Sequence, residues 1–486
     1  MSGRLGLVMR QRLIGHGWIL AAAVGLLLLG TALLAGGLHG GSNVAAHAEL
    51  GAAQAGGGIV CSAFGGGPPY EFDAYEATRD RVPYLEAQRL AAVDQLLLPG
   101  DAFALQAITT GRFGARTETA GATIPAQLLH AIGWIESRLT QARLGVPFEG
   151  VGPVLISPSC AYGLMQVASF FSNGGDVPSS LESLVGTHYA YNVAAGAQIL
   201  VDKWNQEFFP QVGDADPLRI ESWYYATWAY NGWAFVNHPA GTEVDPFRTP
   251  YDCAAPFNGY PYQELVFGCV ENPPSVDGVQ LWDALNLRLP DLGTLTVAQG
   301  PLDVDVYFDG WASVFAAPFT DEEASTPFAG MNMGRPAGAT IVAPPRFSTE
   351  TAAQHRASIF ALPELTVGES VIELVATEQG LESGTITIRN AGSGLLVYRL
   401  IPSVDWLALS VPAGIAVGSG VPLLASQTVD ASIVLTPDAD GLPEGLHQGS
   451  VVVEALLPDG AVVRETVVVL VDKQGVPRYE AGRPVS

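Results

Sequence analysis

Residues 123–139 read Thr-Ile-Pro-Ala-Gln-Leu-Leu-His-Ala-Ile-Gly-Trp-Ile-Glu-Ser-Arg-Leu, and this stretch decides the fold of the first half of the chain. Its apolar side chains recur three and four positions apart, which is the spacing of one face of a helix. Thr123 is predicted to cap that helix and Pro125 to lie in its first turn. The apolar face consists of Leu128, Ile132, Ile135 and Leu139.

Glu136 lies at the edge of this apolar face, directly after Trp134 and Ile135. A carboxyl group at that position is predicted to be partly removed from water, which disfavours the anion and raises the pKa. A raised pKa is what a general acid needs near neutral pH. The ordinary alternative for a single Glu is a solvated helix carboxylate. Gly133, one turn earlier, leaves space for a sugar to approach.

Two more helices are predicted in the same region, over residues 192–208 and 216–232. Asp216 is a suitable cap for the second of them, with Pro217 in its first turn, and Gly232 suits a left-handed C-terminal cap. The block 121–275 is therefore predicted to be an all-α domain.

The pattern changes to period-2 alternation from about residue 363. Residues 385–388 and 462–471 are predicted strands, and residues 457–460 are a hairpin turn. Short strands between Gly, Pro and Asn clusters predict an all-β, two-sheet sandwich over 361–474. The other segments give weaker signals. Residues 49–120 are an unassigned extension, 276–360 a linker or small β-containing segment, and 475–486 a tail.

The N-terminal segment 1–48 has the composition of an export signal. Residues 18–38 carry no charge and follow three arginines, Arg4, Arg10 and Arg12. As a helix this run would reach about 30 Å, so it predicts either a cleaved signal peptide or an uncleaved membrane anchor. Both alternatives predict an extracytoplasmic protein, secreted or held at the membrane by this single helix.

Charge and cysteine usage fit an exported protein. The net charge of -25 disfavours nucleic-acid binding, because phosphate backbones are repelled. The four cysteines form no metal-ligand pattern, so no metal or cofactor is predicted. An even number of cysteines in an exported chain favours disulfides. Cys253–Cys269 is the first choice, which leaves Cys61–Cys160. The oligomeric state remains open.

Four short motifs occur in a characteristic order between residues 123 and 235. Glu136-Ser137 is followed by Ala-Tyr-Gly-Leu-Met-Gln at 161–166, by Asn-Val-Ala-Ala-Gly at 192–196, and by Ala-Tyr-Asn-Gly at 229–232. In order and approximate spacing they resemble the SLT-type lytic transglycosylases of the lysozyme-like superfamily. Residues 144–154 resemble an insertion relative to that family. The resemblance implies a multidomain protein in which an all-α lysozyme-like catalytic domain precedes the sandwich.

The resemblance also implies a role for each matched residue. Glu136 would be the sole catalytic acid and base, with Ser137 as a supporting polar group. Gln166 would contact a sugar or its N-acetyl group, Tyr230 would reach towards Glu136, and Asn231 would hold its turn or contact substrate. The implied substrate-binding residues are Ser137, Tyr162, Gly163, Leu164, Met165, Gln166, Tyr230 and Asn231.

The implied reaction is cleavage of the MurNAc-β-1,4-GlcNAc bond of peptidoglycan strands, with formation of 1,6-anhydro-MurNAc. No second acid lies in the matched motifs, whereas ordinary glycosidases use two carboxyl groups. Glu149 and Asp176 fall in loops that could cover the cleft, so a muramidase or chitinase remains an alternative. A non-catalytic wall-binding scaffold is the alternative from another class.

The β-rich segment has a resemblance of its own. The glycine-bounded segment 384–394, Asp405-Trp406-Leu407 and the segment 445–449 resemble an Ig-like sandwich of the BACON type. These motifs consist of turn glycines and one core Trp, so they indicate a fold rather than an activity. The resemblance implies either a spacer or a glycan-binding module, and a spacer is the favoured interpretation.

Overall fold

The computed structural model describes most of the chain beyond residue 68. The described residues are 69–96, 98, 101–111, 116–119, 121–171, 177–206, 215–232, 237, 244–245, 248–257, 259–288, 340–377, 380–424, 430–438, 441–475, 479–480 and 483–484. The predicted export segment 1–48 lies outside them, as do Cys61 and residues 289–339. In the described part, no helix combines the length and the apolar character that a membrane crossing requires.

The described residues up to Phe360 form seven α-helices and six short strands. The helices are α1 Val82–Ala92, α2 Ala126–Ser137, α3 Ser180–Thr187, α4 Tyr189–Asn205, α5 Tyr224–Tyr230, α6 Tyr262–Glu271 and α7 Thr349–Phe360; the strands are β1 Asp73–Glu76, β2 Thr109–Thr110, β3 Thr117–Glu118, β4 Gly150–Pro153, β5 Ser275–Val276 and β6 Val279–Gln280.

Helix α2 lies at the centre of this unit, with α1 and α6 packed against it. It begins after Pro125, and no side chain caps it. Gly133 permits the close packing, because a Cβ there would lie 2.7 Å from the Gln88 side chain of α1. Gln88 donates to the Leu129 carbonyl oxygen at 2.9 Å and pairs with the His130 ring. The segment 69–96, whose fold the sequence left unassigned, therefore shares the core of α2.

The predicted fold class, with an all-α lysozyme-like domain, is wrong. Strand β4 lies inside the block 121–275 and pairs with β1 from the preceding segment, and the part of the chain that the structure describes is rich in β-sheet. Local periodicity could not indicate this pairing, because its partners are far apart in sequence. The helix predicted from Asp216 is also shorter, since a 3₁₀ turn at Ile220–Trp223 precedes α5.

The C-terminal part contains two β-sheets that share a hydrophobic core. Their strands are β7 Leu365–Val367, β8 Val371–Thr377, β9 Gly380–Leu381, β10 Gly384–Asn390, β11 Leu395–Pro402, β12 Leu407–Leu409, β13 Ala413–Val417, β14 Ala431–Pro437, β15 Gly445–Leu456 and β16 Val462–Lys473. The four-stranded sheet has the order β12-β14-β10-β7, and the six-stranded sheet has the order β13-β11-β15-β16-β8-β9, in which only β16 and β8 run parallel. Two further strands, β17 Tyr479–Glu480 and β18 Arg483–Pro484, pair with each other.

Strands β11 and β13 are buried on both faces. Side chains alternate between the faces of a strand. In β11, Leu396 and Tyr398 point into the sandwich core, whereas Leu395 and Val397 belong to the core of the helical unit. Phe72 bridges to Ala413 of β13 through its backbone. The sandwich therefore packs directly on the helical unit.

Replacing Phe72 with Ala is expected to destabilise the protein by about 3–5 kcal/mol, because the ring fills the core between the two units. Phe72 is 1% exposed. Its ring lies directly against α3, because a Cβ added at Gly186 of that helix would clash with the ring. Urea unfolding followed by tryptophan fluorescence measures the loss. Phe148→Ala, at a 37% exposed phenylalanine, is the control and should cost about 1 kcal/mol or less. Equal losses in both variants would contradict the expectation.

Candidate active site

Glu136 lies in the last turn of α2 and is 6% exposed. Its Oε1 accepts a hydrogen bond of 2.5 Å from the Tyr262 hydroxyl, its one hydrogen-bond partner among the described residues. Burial raises the pKa of Glu136 to about 7, and the bond from Tyr262 opposes that rise. Burial therefore brings the pKa of this carboxyl group into the range that a general acid needs near neutral pH.

Ser137 supports the structure beside the acid. Its hydroxyl lies 3.0 Å from the Gly133 carbonyl oxygen and 2.7 Å from the Leu164 carbonyl oxygen, both within donating distance. It also accepts from the Thr140 amide at 3.1 Å. These contacts attach the end of α2 to the segment around Leu164. In this position the hydroxyl is buried and already used within the protein.

Residues 162–166, called here the lining turn, are held by two buried side chains. Gln141 Oε1 accepts from the Leu164 amide at 3.0 Å, and Asn192 Oδ1 accepts from the Met165 amide at 2.7 Å. Asn192 also donates to the Tyr162 carbonyl oxygen at 2.8 Å. Gly163 has φ +68°, and a Cβ there would lie 2.6 Å from Gln141. Only glycine fits this position, because both the backbone conformation and the space exclude a side chain.

The predicted substrate-binding residues of the lining turn differ in how far they are buried. Tyr162, Leu164 and Met165 are buried, and the Tyr162 ring stacks on Phe171 with centroids 3.9 Å apart. Gln166 is half-buried and donates to the Gly163 carbonyl oxygen at 2.8 Å. In the structure described, Gln166 is therefore the side chain of this turn with polar surface left for a ligand, and the other three side chains pack the core behind it.

The Tyr-Asn pair at 230–231 also contacts the lining turn. Tyr230 donates to the Met165 carbonyl oxygen at 2.8 Å, and Asn231 Oδ1 accepts from Asn237 at 2.9 Å. The charge on Glu136 adds to burial in raising the pKa of Tyr230. The tyrosine that bonds Glu136 is Tyr262 rather than Tyr230. The sequence prediction missed Tyr262, which follows Pro261 at the start of α6 and lies outside the matched motifs.

The fold brings the other three predicted motifs and Tyr262 together at the end of α2 that carries Glu136. Tyr262 begins α6, and its amide donates to Asn237 Oδ1 at 2.9 Å. Asn237 donates in turn to Asn231, so the start of α6 and the end of α5 are joined next to Glu136. Such an arrangement can deliver a proton to a bound oxygen atom and take one back.

Three other acidic residues bear on whether Glu136 has a second carboxyl group beside it: Glu76, Glu149 and Asp176. Glu76 is buried, pairs with Arg81 at 3.1 Å and accepts from the Gln141 and Ala142 amides, so its oxygens are occupied. The Glu149 backbone carbonyl accepts from the Leu424 amide of the sandwich at 3.2 Å. Asp176 lies outside the described residues. Among the described groups, no carboxylate contributes to the pKa shift of Glu136.

A disulfide joins Cys253 to Cys269 on α6, with Cα atoms 4.7 Å apart. It attaches the segment 251–257 to the helix that carries Tyr262. Gly268 allows this segment to pack closely on the helix, because an added Cβ there would lie 2.4 Å from the Tyr251 carbonyl oxygen. Cys160 is also disulfide-bonded. In the residues described, no cluster of His, Cys, Asp and Glu could hold a metal ion.

Comparison with known proteins gives limited similarity. No family model matches the chain, and no curated protein matches it either. The periplasmic chaperone SfaE matches at 11% identity over 23% of this chain and 58% of that one, with a TM-score of 0.19. WR4, a C. elegans MSP family member, matches at 13% identity over 23% and 97%, with a TM-score of 0.17. A Bacteroides ovatus GH5 xyloglucanase in complex with a XXXG heptasaccharide matches at 18% identity over 24% and 20%, with a TM-score of 0.17.

The chain spans 54–58% of the length of the chaperones SfaE, YadV and DraB that it matches. At these TM-scores the likenesses do not bear on what this chain does.

Tyr262→Phe is expected to raise the pKa of Glu136 above about 7. The hydroxyl donates to the charged carboxylate and so favours the anion, and the phenyl ring removes that bond while keeping the packing. NMR titration of ¹³C-labelled glutamate carboxyl groups measures the shift. Tyr230→Phe is the control, since Tyr230 bonds Met165 instead. A pKa that falls or stays constant in the Tyr262 variant would contradict this role.

Glu136→Gln is expected to make the folded protein more stable at pH 8 than the wild type. Below pH 4.5, the ordinary value, the carboxyl is protonated in both the folded and the unfolded chain. Between pH 4.5 and about 7 only the unfolded chain releases its proton, so the wild type loses stability as pH rises. Across this pH range the wild type loses about 3 kcal/mol of folding free energy relative to the variant.

Urea unfolding between pH 4 and 8 checks this expectation. The gap between Glu136→Gln and the wild type should widen as pH rises through 4.5 to 7 and then stay constant. Glu373→Gln, at an exposed glutamate of β8, should follow the wild type throughout. A gap that does not depend on pH would mean that Glu136 titrates normally.

Proposed function

We propose that the protein is a peptidoglycan lytic transglycosylase that uses Glu136 as its single acid and base. One observation carries the proposal: Glu136 is buried, has its pKa raised to about 7, and is bonded by Tyr262 at the point where the lining turn and the 230–231 pair meet. A carboxyl group in this state can donate a proton at neutral pH and accept one afterwards.

In the first step, Glu136 gives its proton to the oxygen between N-acetylmuramic acid and N-acetylglucosamine, and the bond from that oxygen to muramyl C1 breaks. The positive charge that develops on C1 is stabilised by the neighbouring acetamido group of the substrate. Glu136 is now a carboxylate, and Tyr262 donates to it at 2.5 Å. The tyrosine therefore stabilises the charged state that the step produces.

In the second step, the Glu136 carboxylate takes the proton of the muramyl C6 hydroxyl, and the C6 oxygen bonds to C1. The products are a 1,6-anhydromuramyl end and a free N-acetylglucosamine end, and the enzyme regains its starting protonation. Holding the C6 hydroxyl next to C1 makes the ring closure intramolecular, which replaces an attacking water. The acid therefore needs no second carboxylate, and among the described groups no carboxylate contributes to its pKa shift.

The proposed site of action is outside the cytoplasm. The disulfide between Cys253 and Cys269 supports this location, because such bonds persist in oxidising compartments. The proposed partner is the glycan strand of the cell wall. With a net charge of -25, the chain must bind it through short-range contacts in the groove rather than by long-range attraction.

Glu136→Gln should reduce the release of muropeptides from purified peptidoglycan by at least about 100-fold, because the amide cannot donate or accept the proton. Mass spectrometry of the products separates the candidate reactions, since an anhydro end is one water lighter than a reducing end. Glu373→Gln is the matched control and should release the same anhydro products as the wild type. Reducing ends would instead indicate a muramidase, and no release by the wild type would indicate a scaffold.

A further inference from the structure

The outer face of the six-stranded sheet covers helix α3. Strands β11 and β13 contact α3, and Val185 of α3 lies in the same buried cluster as Val397 and Ile415. A strand that is buried on both faces has no surface free for a ligand on this side. The face therefore serves the contact between the two units.

Arg399 extends this contact to the segment that leads into α3. It lies on the same face of β11 as Val397, and its Nη1 donates to the Pro178 carbonyl oxygen at 3.0 Å. Its Nε donates at 2.6 Å to Glu454, a buried carboxylate of β15. The second oxygen of Glu454 is held by Arg464. Arg399 is thus fixed in the sandwich and reaches the chain just before Ser179, the residue that caps α3.

Helix α3 is connected in turn to the lining turn. Gln141 donates to the Gly186 carbonyl oxygen at 3.0 Å, and Asn192 donates to the Val185 carbonyl oxygen at 3.1 Å. These are the same two side chains that hold the Leu164 and Met165 amides. A shift of α3 would therefore move or break the bonds that keep the lining turn in its conformation.

We propose that the β-sandwich is a support for the substrate groove, and that Arg399 is a positioning residue that holds α3 and, through Gln141 and Asn192, the lining turn. Its effect on catalysis rests on the proposed function, whereas its effect on the lining turn does not. A second contact of the same kind joins the sandwich segment to β1, where Tyr75 donates to the Pro422 carbonyl oxygen at 2.9 Å. A spacer joined by a linker would make neither contact.

Hydrogen exchange of the full-length protein without substrate tests the support directly. In Arg399→Gln, the amides of α3 and those of Leu164 and Met165 should exchange about tenfold faster, which is the effect of losing one charge-assisted hydrogen bond. Strands β10 and β14 should keep their wild-type rates. Arg389→Gln is the matched control, because Arg389 pairs with Asp430 on the exposed side of the sandwich.

If Arg399→Gln does not fold, Arg399→Lys is the second variant. Its ammonium can pair with Glu454, but it lacks the planar fork that reaches Glu454 and Pro178 together, so the same local increase in exchange is expected. Unchanged exchange in α3 and the lining turn would overturn the proposal. An equal increase across β10, β14 and the helices would also overturn it, because it would mean general destabilisation.

The kinetic measurement is separate. With peptidoglycan as substrate, Arg399→Gln should raise KM about tenfold and change kcat less than about twofold, since the turn that binds the strand is displaced while Glu136 and Tyr262 remain in place. Arg389→Gln should match the wild type. A fall in kcat at constant KM would overturn the assignment to substrate positioning. If the wild type itself shows no turnover, the proposed function fails, and the exchange result still decides the structural part.

Discussion

The contact between Glu136 and Tyr262 is the constraint on which the rest of the site depends. Transferring a carboxyl group out of water is unfavourable for its charged form, and a single hydroxyl donor offsets only part of that cost. Helices α2 and α6 must therefore pack closely enough to keep a 2.5 Å bond between residues 126 positions apart. The disulfide on α6 and the Asn237 contacts at its start both restrict how far that helix can move.

The buried amides Gln141 and Asn192 have a related function. Each satisfies backbone groups of the lining turn and of α3 at once, so neither leaves a buried polar group without a partner. Because one side chain serves two segments, the turn cannot adopt its left-handed conformation at Gly163 independently of α3. The conformation of the lining turn thus depends on Gln141 and α3, which lie outside the matched motifs, as well as on Asn192 within them.

The sequence was informative where the signal is local. The spacing of Leu128, Ile132 and Ile135 predicted α2 and placed Glu136 at the edge of its buried face, and the structure gives that carboxyl a raised pKa. Tyr262 could not be found in this way, since its partner is distant in sequence and both proximity and orientation come from the packing of α6. The pairing of β1 with β4 was missed for the same reason.

The sequence also contains a signal that the sandwich packs on the helical unit. Strand β10 alternates between Thr and Ile, as expected of a strand with one exposed face, whereas Leu395-Leu396-Val397-Tyr398 of β11 is apolar at every position. An uninterrupted apolar strand predicts burial on both faces, and in a two-sheet sandwich the second face must be covered by something outside the sandwich. In the structure, Phe72 and α3 cover that face. The ion pair between Arg399 and Glu454 lies at the edge of the covered face. A module that only separates or only binds would leave this face to water, so the composition of β11 favours a structural role against the helical unit.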